Sequence, residues 1–361
     1  MKTENLLQPA LLAEAEMLHC LGSVESRNIK CAVIKGIPLA RALYGTVDAR
    51  GVPVDCDLLV RHQDAALAVE ALIDAGYSSP YLPVSQSSYT NVWKVVLRKN
   101  FDDGVSSTVE LHLAPFSPWA HPLSERLIWN HMMEFKSHSR NILVPDRELT
   151  LVMLACHFAQ SGFSNYKILR DLAVAWDLWQ NNIDFNNLCA LISGSKSNAH
   201  LNYALRVISN LRQNPSAQIN IADEARELLL LDNYSTGVKP PRVGSDQAAK
   251  LLEKLFPYGR IPQADIDHRG QIYAFLLSNP SQILLQGFHQ LFPSQLGLSI
   301  ALDESIDSRL KFFEASIGRI LSLAGYLLGT PLFAMIPSFL PRDGVSNFPR
   351  AVHLAMKRSR L

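Results

Sequence analysis

The chain has 361 residues, 48% of them hydrophobic, which is enough apolar material for two domains with their own cores. Its 34 basic and 33 acidic residues leave a formal net charge of +1, so there is no general electrostatic attraction to nucleic acid, and a templated polymerase is not expected. Five scattered cysteines, Cys20, Cys31, Cys56, Cys156 and Cys189, are odd in number and lack Cys-x-x-Cys spacing, which argues against a disulfide framework or a structural zinc site and fits a reducing cytosol.

Near the N-terminus, Glu14 and Glu16 interrupt the apolar run from Leu11 to Met17, so a signal peptide is not expected there. Ile29 to Ile34 reads as a short buried strand that runs into Lys35-Gly36 and then a helical stretch from Pro38 to Tyr44. A strand, a glycine turn and a helix N-terminus in that order can present backbone N–H groups to a phosphate, with Lys35 as a nearby charge. The plainer alternative is an ordinary strand-to-helix turn.

Val54 to Val60 is the next strand, and it carries Asp55 and Asp57. Successive side chains of a strand point to opposite faces, so both acids fall on one face, about 7 Å apart, with Val54, Cys56 and Leu58 toward the core. Neighbouring carboxylates repel unless a cation lies between them, which suggests Mg²⁺, although Asp-x-Asp also occurs on solvated loops and sheet edges. A helix from Ala65 to Ala75 follows, with Asp64 placed to cap it and Gly76 to end it.

Tyr89 to Arg98 and Thr108 to Leu113 flank the turn-rich Asn100-Phe101-Asp102-Asp103-Gly104, the signature of a β-hairpin. On its second strand Glu110 and His112 share one face while Val109, Leu111 and Leu113 take the other. His112 has two readings, a contact to metal or nucleotide and a hydrogen-bonded structural residue. His157, within the apolar helical run from Leu151 to Phe158, is read as a core or interface residue, and Lys167 and Asp171 are spaced to pair along a helix.

Taken together, Lys35-Gly36, Leu43-Tyr44, Arg50, Asp55-x-Asp57-Leu58-Leu59-Val60, the helix ending at Gly76-Tyr77, and Glu110-Leu111-His112 resemble an uncharacterised bacterial nucleotidyltransferase family of the DNA polymerase β-like superfamily. The similarity continues through Pro145-Asp146, Leu151 to His157 and Arg170-Asp171-Leu172-Ala173, and covers roughly the first half of the chain. One departure is that Ile37 follows Gly36 where the wider superfamily carries Ser or Gly, so no hydroxyl is offered to phosphate there.

The resemblance implies an α+β fold: a small mixed sheet flanked by helices, followed by a mainly α-helical domain. It also implies transfer of an NMP from an NTP, with ATP the default donor, to a hydroxyl or similar acceptor, releasing pyrophosphate. Two Mg²⁺ ions, about 3.5–4 Å apart in such chemistry, would be held by Asp55, Asp57 and Glu110. Lys35 and Gly36 would contact the triphosphate, with Arg50 as a further phosphate clamp and His112 toward the nucleotide.

The expected domains are residues 1–143 and 144–361. Helical spacing runs through 148–159, 168–180, 199–211, 222–231, 246–255 and 271–277, with a Gly/Pro/Ser-rich connection at 233–245. The apolar segment at 320–341 is about long enough to span a bilayer and is followed by Arg342, Arg350, Lys357, Arg358 and Arg360. Gly325, Gly329, Pro331 and Pro337 interrupt it, which favours packing against the helical domain over peripheral membrane contact.

The expected protein is thus a cytoplasmic, Mg²⁺-dependent nucleotidyltransferase. Its partners are a nucleotide and a small-molecule, peptide or protein acceptor, with no nucleic acid. The alternative is a non-catalytic scaffold that keeps the fold.

Overall fold

A computed structural model describes residues 4–213, apart from 48, 51–54, 80, 81, 83, 84, 90, 91, 102–105, 117, 119, 120, 138, 139 and 162–164. The expected helices beyond residue 213, the connection at 233–245 and the apolar segment at 320–341 lie outside the described residues, as does the Asp102-Asp103-Gly104 turn.

Six strands form one mixed sheet: β1 (Cys31–Val33), β2 (Asp55–Val60), β3 (Lys94–Asn100), β4 (Ser106–His112), β5 (Met132–Ser137) and β6 (Arg140–Pro145). Their spatial order is β3-β4-β2-β1-β6-β5. The hairpin pairs β3 and β4 antiparallel, while β4 lies parallel to β2, which is antiparallel to β1. Four helices accompany the sheet: α1 (Glu4–Glu25), α2 (Ile37–Tyr44), α3 (Ala65–Asp74) and α4 (Glu125–Asn130). After β6 only helices follow among the described residues: α5 (Arg147–Gln160), α6 (Tyr166–Trp179), α7 (Phe185–Ser195) and α8 (Asn198–Gln213).

The sheet buries both faces, and the alternation along each strand decides which core each side chain joins. Cys31, Val33, Cys56, Leu58, Val95, Leu97, Val109 and Leu111 pack with Met17, Leu21 and Val24 of α1 and Ala68 and Leu72 of α3. On α1 those three residues recur at helical spacing, so one stripe of the helix covers the sheet. Burying a side chain such as Leu21 or Leu72 contributes about 1.5–3 kcal/mol before the entropy of ordering it.

Ala32, Ile34 and Leu59 point the other way and join the core built by α5 to α8. The acids of β2 belong to this second face, so the site opens on the side that the later helices approach.

Local chemistry sets the helix ends. Gly36 has φ +70 and ψ −129, a conformation that strains any side chain, and it starts α2 with Pro38 in the first turn. Helix α3 closes as a Schellman motif: Gly76 has φ +89, its N–H donates to Ile73 O at 2.9 Å, and Tyr77 N–H reaches Leu72 O at 3.0 Å. Asp64 stands at the start of α3 as expected, but its side chain makes no capping bond, because the 3₁₀ turn His62–Asp64 leads in with φ −97 and ψ 1 in place of extended backbone. Helix α5 does have a side-chain cap, Asp146, whose Oδ1 accepts from Leu149 N–H at 2.8 Å. No helix among the described residues is long and apolar enough to cross a membrane.

Candidate active site

The register of β2 against β4 sets Asp57 directly beside Glu110, and Leu59 beside His112. Cross-strand partners share a face, so the two carboxylates and the imidazole meet on the side away from α1 and α3. One ligand atom each from Asp57, Glu110 and His112 lie within 4.8 Å of one another. Asp55 occupies the same face two residues earlier, at the exposed start of β2, and stands outside that tight group. A small depression lined by Lys35, Gly36, Asp55 and Asp57, together with Ala13 and Met17 of α1, links it to the lysine-glycine turn.

His112 is fully buried, with Nε2 2.9 Å from Asp57 Oδ1 and 3.3 Å from Glu110 Oε2. Facing two carboxylate oxygens, Nε2 carries the proton and donates it to them. Its Nδ1 is buried without a hydrogen-bond partner among the described residues, so moving the proton there to free Nε2 for a metal would leave an unsatisfied donor. The imidazole therefore orients the carboxylates and leaves their oxygens as the available donors for a cation.

Two ammonium groups complete the centre. Lys35 Nζ donates to Asp57 Oδ1 at 3.0 Å, and Lys94 Nζ donates to Glu110 Oε1 at 2.7 Å. Part of the space that the sequence reserves for ions is thus held by lysine charge. Burial alone would raise the Asp57 carboxyl, but the Lys35 ammonium and the His112 hydrogen bond outweigh it and hold Asp57 well below the usual carboxylate range. Glu110 follows the same balance, with burial opposed by the His112 hydrogen bond and the Lys94 charge, and is held at about 2. No ammonium among the described residues is bonded to Asp55, and burial followed by the charges of Asp57 and Glu110 raises its carboxyl.

The later helices contribute from the opposite side. His157 on α5 is pushed down to about 3, first by burial and then by Lys35, with Asp57 opposing, so it is a neutral imidazole within electrostatic reach of the acids. Burial and then Arg50 lower Lys167 on α6, with Asp171 and Asp55 opposing. Arg50 itself donates through Nε to Asp171 Oδ2 at 2.7 Å, and Tyr44 O–H donates to Asp171 Oδ1 at 2.8 Å. Arg170 lies 4.6 Å over the Tyr44 ring and donates to Ala49 O at 3.3 Å. Ala49 and Arg50 are thus clasped to α6, in part through Asp171, which sequence spacing alone would pair with Lys167.

Lys35, Gly36, Asp55, Asp57, Glu110 and His112 are therefore brought to one place, and Arg50 stands at its edge with its Nε taken by Asp171. Lys94 was missed, since a lysine beginning an edge strand carries no motif. The apolar run around His157 predicts a core or interface residue, and the docking of α5 reveals which charges it meets.

Two carboxylates with lysine ammonium groups beside them suit a divalent ion bound partly by protein and partly by substrate phosphates, which is how Mg²⁺ is usually held. The class of chemistry that this arrangement can serve is transfer of a phosphorus-centred group. The chain belongs to a family described as uncharacterised nucleotidyltransferases, whose model matches residues 3–213, more than half its length. No curated protein and no solved structure matches it.

Proposed function

We propose that the protein transfers an NMP from an NTP to a hydroxyl or similar group on a small molecule, peptide or protein, with Mg²⁺ as cofactor and ATP as the default donor. The observation that carries this reading is the convergence of Asp57 and Glu110, oriented by one buried histidine, beside the Lys35-Gly36 turn at the start of α2.

Asp57 and Glu110 would hold the divalent ion, with Asp55 as the additional carboxylate toward the triphosphate. When bound, the metal supplies charge neutralisation at the phosphates and lowers the pKa of an oxygen nucleophile. Lys35, the N–H groups beginning α2 and the free edge of Arg50 draw the triphosphate against the sheet. The acceptor oxygen attacks the α-phosphorus and forms the new P–O bond while the bond to the β-phosphate's bridging oxygen breaks. The electron pair leaves on pyrophosphate, and the acceptor proton passes to Glu110 or to water. The helical region from residue 144 onward would supply the acceptor side of the cleft, in a cytoplasmic protein.

A second reading, a non-catalytic binding protein on the same fold, is favoured by the Lys35–Asp57 and Lys94–Glu110 ion pairs, which satisfy both acids within the chain. Titration calorimetry separates the two. Transfer requires that a non-hydrolysable NTP analogue bind with Mg²⁺ and that Asp57→Asn with Glu110→Gln abolish this binding. An analogue that binds neither form, or both equally, contradicts the transferase reading.

A further inference from the structure

Lys94 opens β3, the edge strand of the sheet, and its Nζ donates to Glu110 Oε1 at 2.7 Å. The ammonium also stands 5.2 Å from the centroid of the Trp93 ring, whose own ring lies 5.7 Å from that of His112. The peptide N–H groups of Leu113 and Ala114 both donate to Trp93 O, at 2.7 and 3.2 Å, so the ladder is irregular where Lys94 enters the site. Lys35 meets Asp57 from the β1 side and Lys94 meets Glu110 from the β3 side, so each carboxylate of the centre has one ammonium.

A divalent ion shared by Asp57 and Glu110 needs lone pairs that these ammonium groups already use. Metal and ammonium at Glu110 Oε1 are two cations competing for one anion, and they exclude each other by charge and by contact. Lys94 is the better placed of the two to leave: its side chain is 29% exposed against 18% for Lys35, on a flexible four-carbon stem. A triphosphate arriving with the metal offers it a new anionic partner.

We propose that Lys94 is a displaceable counterion that holds Glu110 until metal and triphosphate enter together, and then turns from the carboxylate to the phosphates. This rests on the metal–nucleotide reading above and adds an order of binding to it. The metal alone meets a competitor, and the nucleotide alone finds its cation already paired, so each ligand promotes the other.

The consequence has a sign that a merely structural lysine does not share. Removing Lys94 strengthens binding of metal alone and weakens binding of metal with nucleotide, whereas loss of a structural support weakens both.

The test is Mn²⁺ binding by electron paramagnetic resonance on the full chain, with and without α,β-methylene ATP, for wild type, Lys94→Met and Lys94→Gln. Circular dichroism establishes that each variant is folded. Lys94→Met is expected to bind Mn²⁺ alone about tenfold more tightly than wild type, and to bind Mn²⁺ with the analogue about tenfold more weakly. Mn²⁺ affinity that is unchanged or weaker in both folded variants overturns the counterion role while leaving the nucleotide site intact.

Should neither variant fold, wild type alone decides: the analogue must raise Mn²⁺ affinity several-fold, and no such rise overturns the proposal. If wild type binds no Mn²⁺ even with the analogue, the underlying metal–nucleotide reading fails and the proposal fails with it.

Discussion

Asp55 and Asp57 are two positions apart on one strand face, yet they stand in opposite electrostatic situations. Asp57 is held ionised by Lys35 and His112, whereas Asp55 is burdened by burial and by the charges of its neighbours. A carboxylate whose pKa is lowered on folding stabilises the protein above its unfolded value, and that contribution disappears as the pH falls. A carboxylate whose pKa is raised does the reverse, favouring the folded state only at low pH and opposing it once ionised.

Without added metal at pH 7, Asp55→Asn is therefore expected to raise Tm and Asp57→Asn to lower it, although both remove a proposed ligand. Differential scanning calorimetry reads the two signs, and equal shifts in one direction contradict the assignment. Glu110 behaves like Asp57. Its stabilising contribution is complete above the ordinary value of 4.5 and is lost as the pH falls from there toward about 2, so Glu110→Gln flattens the acid limb of the stability curve.

Among the elements, strands were the easiest to read and helix docking the hardest. The period of two in Asp55-Cys56-Asp57 and in Glu110-Leu111-His112 assigns a face within each strand, while the meeting of the two strands follows from the family resemblance and is seen in the β2–β4 register. Lys94 reaches Glu110 only through the hairpin register, in which Lys94 pairs with His112 and Val96 with Glu110. That register depends on the turn, and sequence alternation alone does not fix it.

The β5–β6 hairpin and α7 carried weak signals, since Met132–Ser137 is mostly exposed or half-buried and alternates poorly. The Lys167–Asp171 spacing misled for a physical reason. Asp171 is completely buried, and a buried carboxylate requires close charged and hydrogen-bonding partners, which Arg50 and Tyr44 supply from α2 and the segment after it.

Asp171→Asn should therefore destabilise the fold by about 3 kcal/mol, because it leaves the Arg50 guanidinium without its buried counter-charge. Urea denaturation measures the loss, and a cost under about 0.5 kcal/mol, the range of an exposed helix pair, contradicts the clasp.

At the scale of the whole molecule, one sheet has its faces divided between two helical layers: α1 and α3 on one side, and the core of α5 to α8 on the other. The acids stand where the second layer approaches the sheet, and His157 of that layer feels the charges of Lys35 and Asp57. The family match spans residues 3–213, from α1 to α8, and so takes in both layers.

The most direct test follows where the phosphates of the donor go. Purified full-length protein is incubated with Mg²⁺ and ATP labelled at either the α- or the γ-phosphate, in the presence of cell extract as a source of acceptor. The α-label should join an acceptor, with pyrophosphate released in equal amount and no transfer by the Asp57→Asn variant. Transfer of the γ-label with ADP left behind, or α-label transfer that persists in that variant, would contradict nucleotidyl transfer at this site.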